Sequence, residues 1–196
     1  MRRRTTAKPS IEEATDSAMF DRDGGAASRL AAIVFDRGET PDEALIAFID
    51  RAAAGGARIA GLVQERADDD LCGLHDVRVR DLASGETLPI MQDLGAGSTG
   101  CSVDPCAIAL AARLVDRALA TSPDLLVVNR FGRLESEGGG MLAEIGRAFA
   151  EGVAMIVCVP ERYRDAWNAF AAGLDAQLPA EREAIEAWWR GVAPAP

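Results

Sequence analysis

Four short apolar runs, separated by segments of helical spacing, constrain this chain more than anything else in it. They are Leu30–Phe35 (LAAIVF), Ile59–Val63, Leu125–Val128 and Val153–Val159. A run that is apolar at nearly every position, yet too short for a helix, is what a strand needs when both its faces are covered. The intervening pattern changes period. Leu45, Phe48, Ile49 and Ala52 recur on one helical face, opened by Thr40-Pro41-Asp42-Glu43 and closed by Gly55-Gly56. That opening combines a capping threonine, a proline at the first helical position and a glutamate placed for a capping box.

Further helices are expected from Asp104-Pro105, with Ala111, Leu114, Val115 and Ala118 on one face, and after Gly138-Gly139-Gly140, with Leu142, Ile145 and Phe149. Two more carry Tyr163, Trp167 and Phe170, and then Ile185, Trp188 and Trp189 between Glu181 and Arg190. The last two tryptophans should dock on the body, because paired exposed indoles would form a costly apolar patch. Val77–Arg80 alternates, Ser84-Gly85 marks a turn, and Thr87–Met91 follows, which together signal a β-hairpin.

This alternation predicts an α/β fold: a mostly parallel sheet with helices on both faces and an inserted β-hairpin. Ligands gather at the carboxyl ends of the strands in such sheets. Three segments become candidates there: Asp36–Thr40, Gln92–Val103 and Asn129–Gly140.

The length of 196 residues suits one domain, expected over residues 29–196 behind a polar, disordered tail of residues 1–28. The net charge of −10 argues against nucleic acid and anionic membranes, which both reward a basic surface. Arg2, Arg3, Arg4 and Lys8 sit in the tail, so the body is more acidic still. The tail arginines lead into Thr5 and Thr6 rather than an apolar run, so neither a secretory nor a twin-arginine signal is expected. No run reaches the roughly 18 apolar residues of a spanning helix, so no membrane insertion is expected. Four cysteines in a chain of this length form no disulfide framework, and a cytoplasmic location is expected. Cys158 falls inside an apolar run and reads as a core thiol.

Several motifs resemble known proteins. Pro123-Asp124-Leu125-Leu126-Val127-Val128, followed by Asn129-Arg130-Phe131-Gly132-Arg133-Leu134-Glu135, is similar to the second phosphate-site strand of the small thermostable P-loop nucleoside-triphosphatases. Asp81–Glu86 resembles their hairpin turn. A closer resemblance is to a bacterial NTPase-like family of unknown function associated with molybdate transporter genes. It is carried by Gly61-Leu62-Val63-Gln64, Gln92-Asp93-Leu94-Gly95, Gly100-Cys101-Ser102-Val103-Asp104-Pro105, Val128-Asn129-Arg130-Phe131-Gly132, Val159-Pro160-Glu161-Arg162-Tyr163 and Trp188-Trp189. The resemblance spans roughly residues 30–190. It implies a P-loop-like fold and a role in molybdenum handling, with a protein partner in molybdate uptake or a cofactor pathway.

The departures from a working triphosphatase are specific. Phosphoryl transfer needs a glycine loop with a lysine for the phosphates, a hydroxyl for magnesium and an acid at a strand end. The corresponding loop reads Asp36-Arg37-Gly38-Glu39-Thr40, without lysine, and Asp42 and Glu43 oppose an anion at the helix start. Asn129 stands where the strand-end acid belongs, and Arg130 follows it. The Walker motifs thus read as degenerate, and nucleotide hydrolysis is not expected.

An oxyanion site is the leading alternative. Gly97, Ser98, Thr99, Gly100, Cys101 and Ser102 can turn several backbone N–H groups toward one point before a helix N-terminus. Arg130 and Arg133 add forked charge and Asn129 a neutral amide. With the family association, this set suits molybdate or tungstate; a nucleotide is the alternative ligand. The same arginines could instead pair with Glu135 and Glu137. Cys72, His75, Cys101 and Cys106 have zinc-compatible spacings, but isolated thiols explain them as well. Two other functions stay open: an active small triphosphatase with an atypical site, and a non-enzymatic interaction module.

Overall fold

The computed structural model describes residues 27–36, 39, 41–66, 77–92 and 103–194. Seven strands form one sheet: β1 (Leu30–Phe35), β2 (Ile59–Arg66), β3 (Val77–Asp81), β4 (Thr87–Pro89), β5 (Leu125–Val128), β6 (Ala154–Pro160) and β7 (Asp175–Leu178). Their order is β4-β3-β2-β5-β6-β1-β7. The five strands from β2 to β7 in that order are parallel. β3 and β4 extend the sheet beyond β2 as an antiparallel hairpin. The α/β class, the parallel sheet and the inserted hairpin therefore stand as read from the sequence.

The apolar runs are buried on both sides, as their composition requires. Within β5, Leu125 and Val127 face one core while Leu126 and Val128 face the other. Helices α2 (Pro105–Ala120), α4 (Leu142–Ala150) and α5 (Arg164–Ala171) cover the first face. Helices α1 (Pro41–Ala54) and α6 (Arg182–Val192) cover the second. α2 begins as expected, with Pro105 at its start and the Asp104 carboxylate accepting the Cys106 N–H at 2.8 Å. α6 docks through its tryptophans: Trp188 donates its indole N–H to the Ser28 carbonyl at 2.8 Å, and Trp189 meets Phe48 edge-on. Ser28 is thus tied to the body, while the rest of the expected tail, up to residue 26, lies outside the described residues.

Differences from the sequence reading have local causes. β7 was not anticipated, because Asp-Ala-Gln-Leu carries no apolar run; it is an edge strand held by its backbone pairing to β1. The short helix α3 (Arg133–Ser136) is a single turn, too brief to leave a helical period in the sequence. Phe149 does not serve the core, being 39% exposed, whereas Ile145 on the same helix is fully buried. The capping position Thr40 lies outside the described residues.

Candidate functional site at the carboxyl edge of the sheet

Parallel pairing brings the ends of β1, β5 and β6 to one edge, together with the start of α1. There Asp42, in the first turn of α1, meets the two residues that follow β5. Asn129 donates through Nδ2 to Asp42 Oδ1 at 2.8 Å, and Arg130 donates through Nη2 to Asp42 Oδ2 at 2.8 Å. Arg130 also stacks on Phe35 at the end of β1, 4.8 Å from the ring centroid. Both charged partners are largely shielded, with side-chain exposures of 20% and 23%. The charges therefore balance within the protein. In a magnesium-dependent site a helix hydroxyl and a strand-end acid would flank a divalent cation. Here the helix supplies the carboxylate, the strand end supplies an amide, and a guanidinium provides the positive charge.

The neighbouring segments add further acid. The Asp36 N–H donates to Glu39 Oε2 at 2.7 Å, which ties the end of β1 to that carboxylate. Arg37, Gly38 and Thr40 lie outside the described residues. Beneath this edge Cys158 is fully buried, and burial, reinforced by Asp42 and opposed by Arg130, pushes its thiol up to about 12. It is a core thiol with no nucleophilic form at neutral pH.

On the side of the sheet facing α2 and α4, a cavity of about 220 Å³ is lined by Asn129, Arg130, Arg133, Glu135, Arg162 and Tyr163, with Gln64 and apolar walls that include Ile108, Phe131 and Met141. On two of these residues, Asn129 Oδ1 and Arg130 Nε are shut off from the cavity and have no hydrogen-bond partner among the described residues. Arg162 lies over the Tyr163 ring at 4.8 Å, while Glu161 beside it pairs with Arg164 at 2.6 Å. Glu135 is 5% exposed and accepts the Gly132 N–H at 2.8 Å and the Met141 N–H at 3.0 Å. It closes the segment after β5 into a loop rather than pairing with an arginine. Gly140 makes this possible: at φ +61 it passes so close that a Cβ there would sit 2.1 Å from Glu135 Oε1.

The structure thus brings Asn129, Arg130 and Arg133 to one cavity wall, but it changes their roles. Arg130 pairs with Asp42, a partner 88 residues away, and not with Glu135 or Glu137. Arg133 does pair with Glu137, at 2.7 Å, in an exposed i,i+4 contact. Gly97, Ser98, Thr99, Gly100, Cys101 and Ser102 lie outside the described residues. The chain flanking them is joined by a Gln92 Nε2 donation to the Val103 carbonyl at 3.2 Å, and Val103 lines the cavity. Sequence reasoning missed Arg162 and Tyr163 as wall residues, although Pro160-Glu161-Arg162-Tyr163 at the end of an apolar run was a usable signal. Of the zinc-spaced set, Cys106 is exposed and the other three lie outside the described residues. Among the described residues no group of three or more His, Cys, Asp or Glu could hold a metal ion. No helix among them is long and apolar enough to cross a membrane.

Solved structures share this architecture. THEP1 from the hyperthermophile Aquifex aeolicus superposes with a TM-score of 0.58 over 78% of this chain and 90% of its own, at 13% identity. A human cancer-related nucleoside triphosphatase gives a TM-score of 0.54 over 67% of this chain and 76% of its own, at 15% identity. At such identities the likeness shows the P-loop-NTPase-like fold alone. In sequence, the chain is 35% identical over 163 residues to the Molybdenum import ATP-binding protein ModC 2 of Bradyrhizobium diazoefficiens. That match covers 83% of this chain but only 18% of the relative, so the chain corresponds to a small part of it. Residues 30–188 match a family described as a protein of unknown function, DUF2478, and with that span covering most of its length the chain belongs to this family.

Proposed function

We propose that the chain is a P-loop-like protein without phosphoryl-transfer chemistry, which binds a small oxyanion such as molybdate or tungstate, or a nucleotide, in molybdenum handling. The observation that carries this reading is the grip of Asn129 and Arg130 on Asp42. A carboxylate occupies the first turn of α1, where the N-terminal N–H groups and helix dipole would otherwise favour a phosphate. A bound γ-phosphate there would face Asp42, and Asn129 offers no charge to a magnesium ion.

Anion affinity then falls to the cavity side. Arg133 and Arg162 stand on its wall, and the glycine-rich Gly97–Ser102 segment joins the proposal on the strength of its sequence. The cavity of about 220 Å³ is small beside the roughly 300–1,000 Å³ of drug-sized ligand sites, which favours an inorganic anion over a whole nucleotide. The molybdenum assignment draws on the similarity to the Bradyrhizobium molybdenum import protein. Residues 29–196 would act as one domain in the cytoplasm, alongside a protein partner in molybdate uptake or a cofactor pathway.

The test is a melting comparison with molybdate, tungstate, sulfate, phosphate, ATP and GTP, since selective binding to the native state raises apparent stability. Stabilisation by an oxyanion, with no ATP or GTP hydrolysis above a magnesium buffer control, is the expected result. Turnover on the order of 1 per second would overturn the reading in favour of an active triphosphatase. Silence toward every ligand would favour an interaction module.

A further inference from the structure

Three arginines line the cavity beside α2 and α4, and their charges are not equally available. Arg130 is matched by Asp42 at 2.8 Å, and Arg133 by Glu137 at 2.7 Å. Arg162 has no carboxylate partner among the described residues, since Glu161, its neighbour in sequence, closes on Arg164 at 2.6 Å. It lies instead 4.8 Å from the centroid of the Tyr163 ring. A ring attracts a cation without cancelling its charge. The Tyr163 hydroxyl, on the same wall, also has no hydrogen-bond partner among the described residues. Glu135, the acid of this cavity, is 5% exposed and accepts the Gly132 and Met141 N–H groups. An exposed guanidinium with its charge uncancelled therefore stands beside an uncommitted hydroxyl.

We propose that Arg162, carried on the Tyr163 ring, is the residue that holds the anion in this cavity, with the Tyr163 hydroxyl as a second donor. The proposal rests on the oxyanion reading above and narrows its ligand to a fully ionised tetrahedral dianion such as molybdate. Such an ion only accepts hydrogen bonds, and both groups can donate to it. The planar fork of Arg162 can span two oxygens of one anion. Arg130 or Arg133 would first have to surrender a carboxylate, so each gains less from the same contact. Binding at Arg162 leaves the Asp42 pair at the start of α1 undisturbed.

Calorimetric titration of the full chain with sodium molybdate at neutral pH tests it. Arg162→Ala should weaken binding by about tenfold to hundredfold, the loss of a charge-assisted contact. Arg162→Lys should recover part of that loss, because a point charge replaces the fork. Without ligand, Arg162→Ala should melt within about 2 °C of the parent, since this exposed side chain has no ion pair to lose. Tyr163 is the one tyrosine of the chain, so fluorotyrosine labelling gives a single reporter beside the site. Molybdate should shift its fluorine resonance in the parent and not in Arg162→Ala. Molybdate binding that Arg162→Ala leaves unchanged, or that Arg133→Ala weakens more, would overturn this assignment while the oxyanion reading stands. If the parent chain binds no molybdate, the oxyanion reading falls and the assignment falls with it.

Discussion

The sequence assigns Arg130 only forked charge for an anion in a strand-end loop, and its surroundings give it a second duty. Truncation to alanine would strip the guanidinium from Asp42, leaving a three-quarters-shielded carboxylate with only the Asn129 amide, and would uncover Phe35. Arg130→Ala should therefore lower stability by about 1–3 kcal/mol even without ligand. Asp42→Ala should also destabilise, by orphaning the cation. Because the two share one interaction, the double variant should lose less than the sum of the singles, with a coupling of about 1 kcal/mol or more. Urea unfolding of the four proteins measures this directly. Additive losses would mean that the pair contributes nothing.

Two connections between elements make sharper demands than any single helix. Gly61 sits in β2 at φ +112 directly against β5, where a Cβ would lie 2.1 Å from the Val127 carbonyl oxygen. The obstacle is backbone, which cannot rotate away. Gly61→Ala should cost about 2–4 kcal/mol, or abolish folding, by prising apart the strands that present Asn129; an unchanged thermal midpoint would show that the close approach is not required. At the opposite ends of the same strands, Arg58 reaches Asp124 with Nη2 at 2.7 Å and Nε at 3.2 Å, and its backbone N–H donates to the same carboxylate at 2.8 Å. The Arg58 side-chain and backbone hydrogen bonds hold the Asp124 carboxyl below its ordinary value of 3.8. Its contribution to stability is complete above that ordinary value and is lost as pH falls through the lowered one. The urea midpoint of the parent chain should therefore drop more steeply than that of Asp124→Asn as the pH is taken from about 4 toward 2. Parallel profiles would remove this pair from the acid response. Because the contact is exposed, its effect should shrink in high salt.

Across the whole molecule, the net charge of −10 makes a simple statement about partners. At physiological salt the chain should neither shift duplex DNA in a gel nor co-sediment with anionic vesicles, because both surfaces repel it. Tight, salt-sensitive binding to either would point to a concentrated basic patch that overcomes the overall charge. The α/β class, the buried strands and the hairpin were legible because each depends on local periodicity: a strand apolar at every position must be covered twice, whatever covers it. That the loop after β1 has no lysine and that Asn129 follows β5 is a matter of residue identity alone. β7 was not legible, since an edge strand with the sequence Asp-Ala-Gln-Leu is defined by its pairing to β1 and not by its own pattern. Nor was the partner of Arg130. The sequence offered Glu135 and Glu137 close by, yet Glu135 turned inward to two backbone N–H groups, and Asp42 arrived from 88 residues away. Local sequence reports which face of an element must be buried. Which charges then meet depends on the order in which strands assemble, and the sheet order placed the start of α1 beside the end of β5.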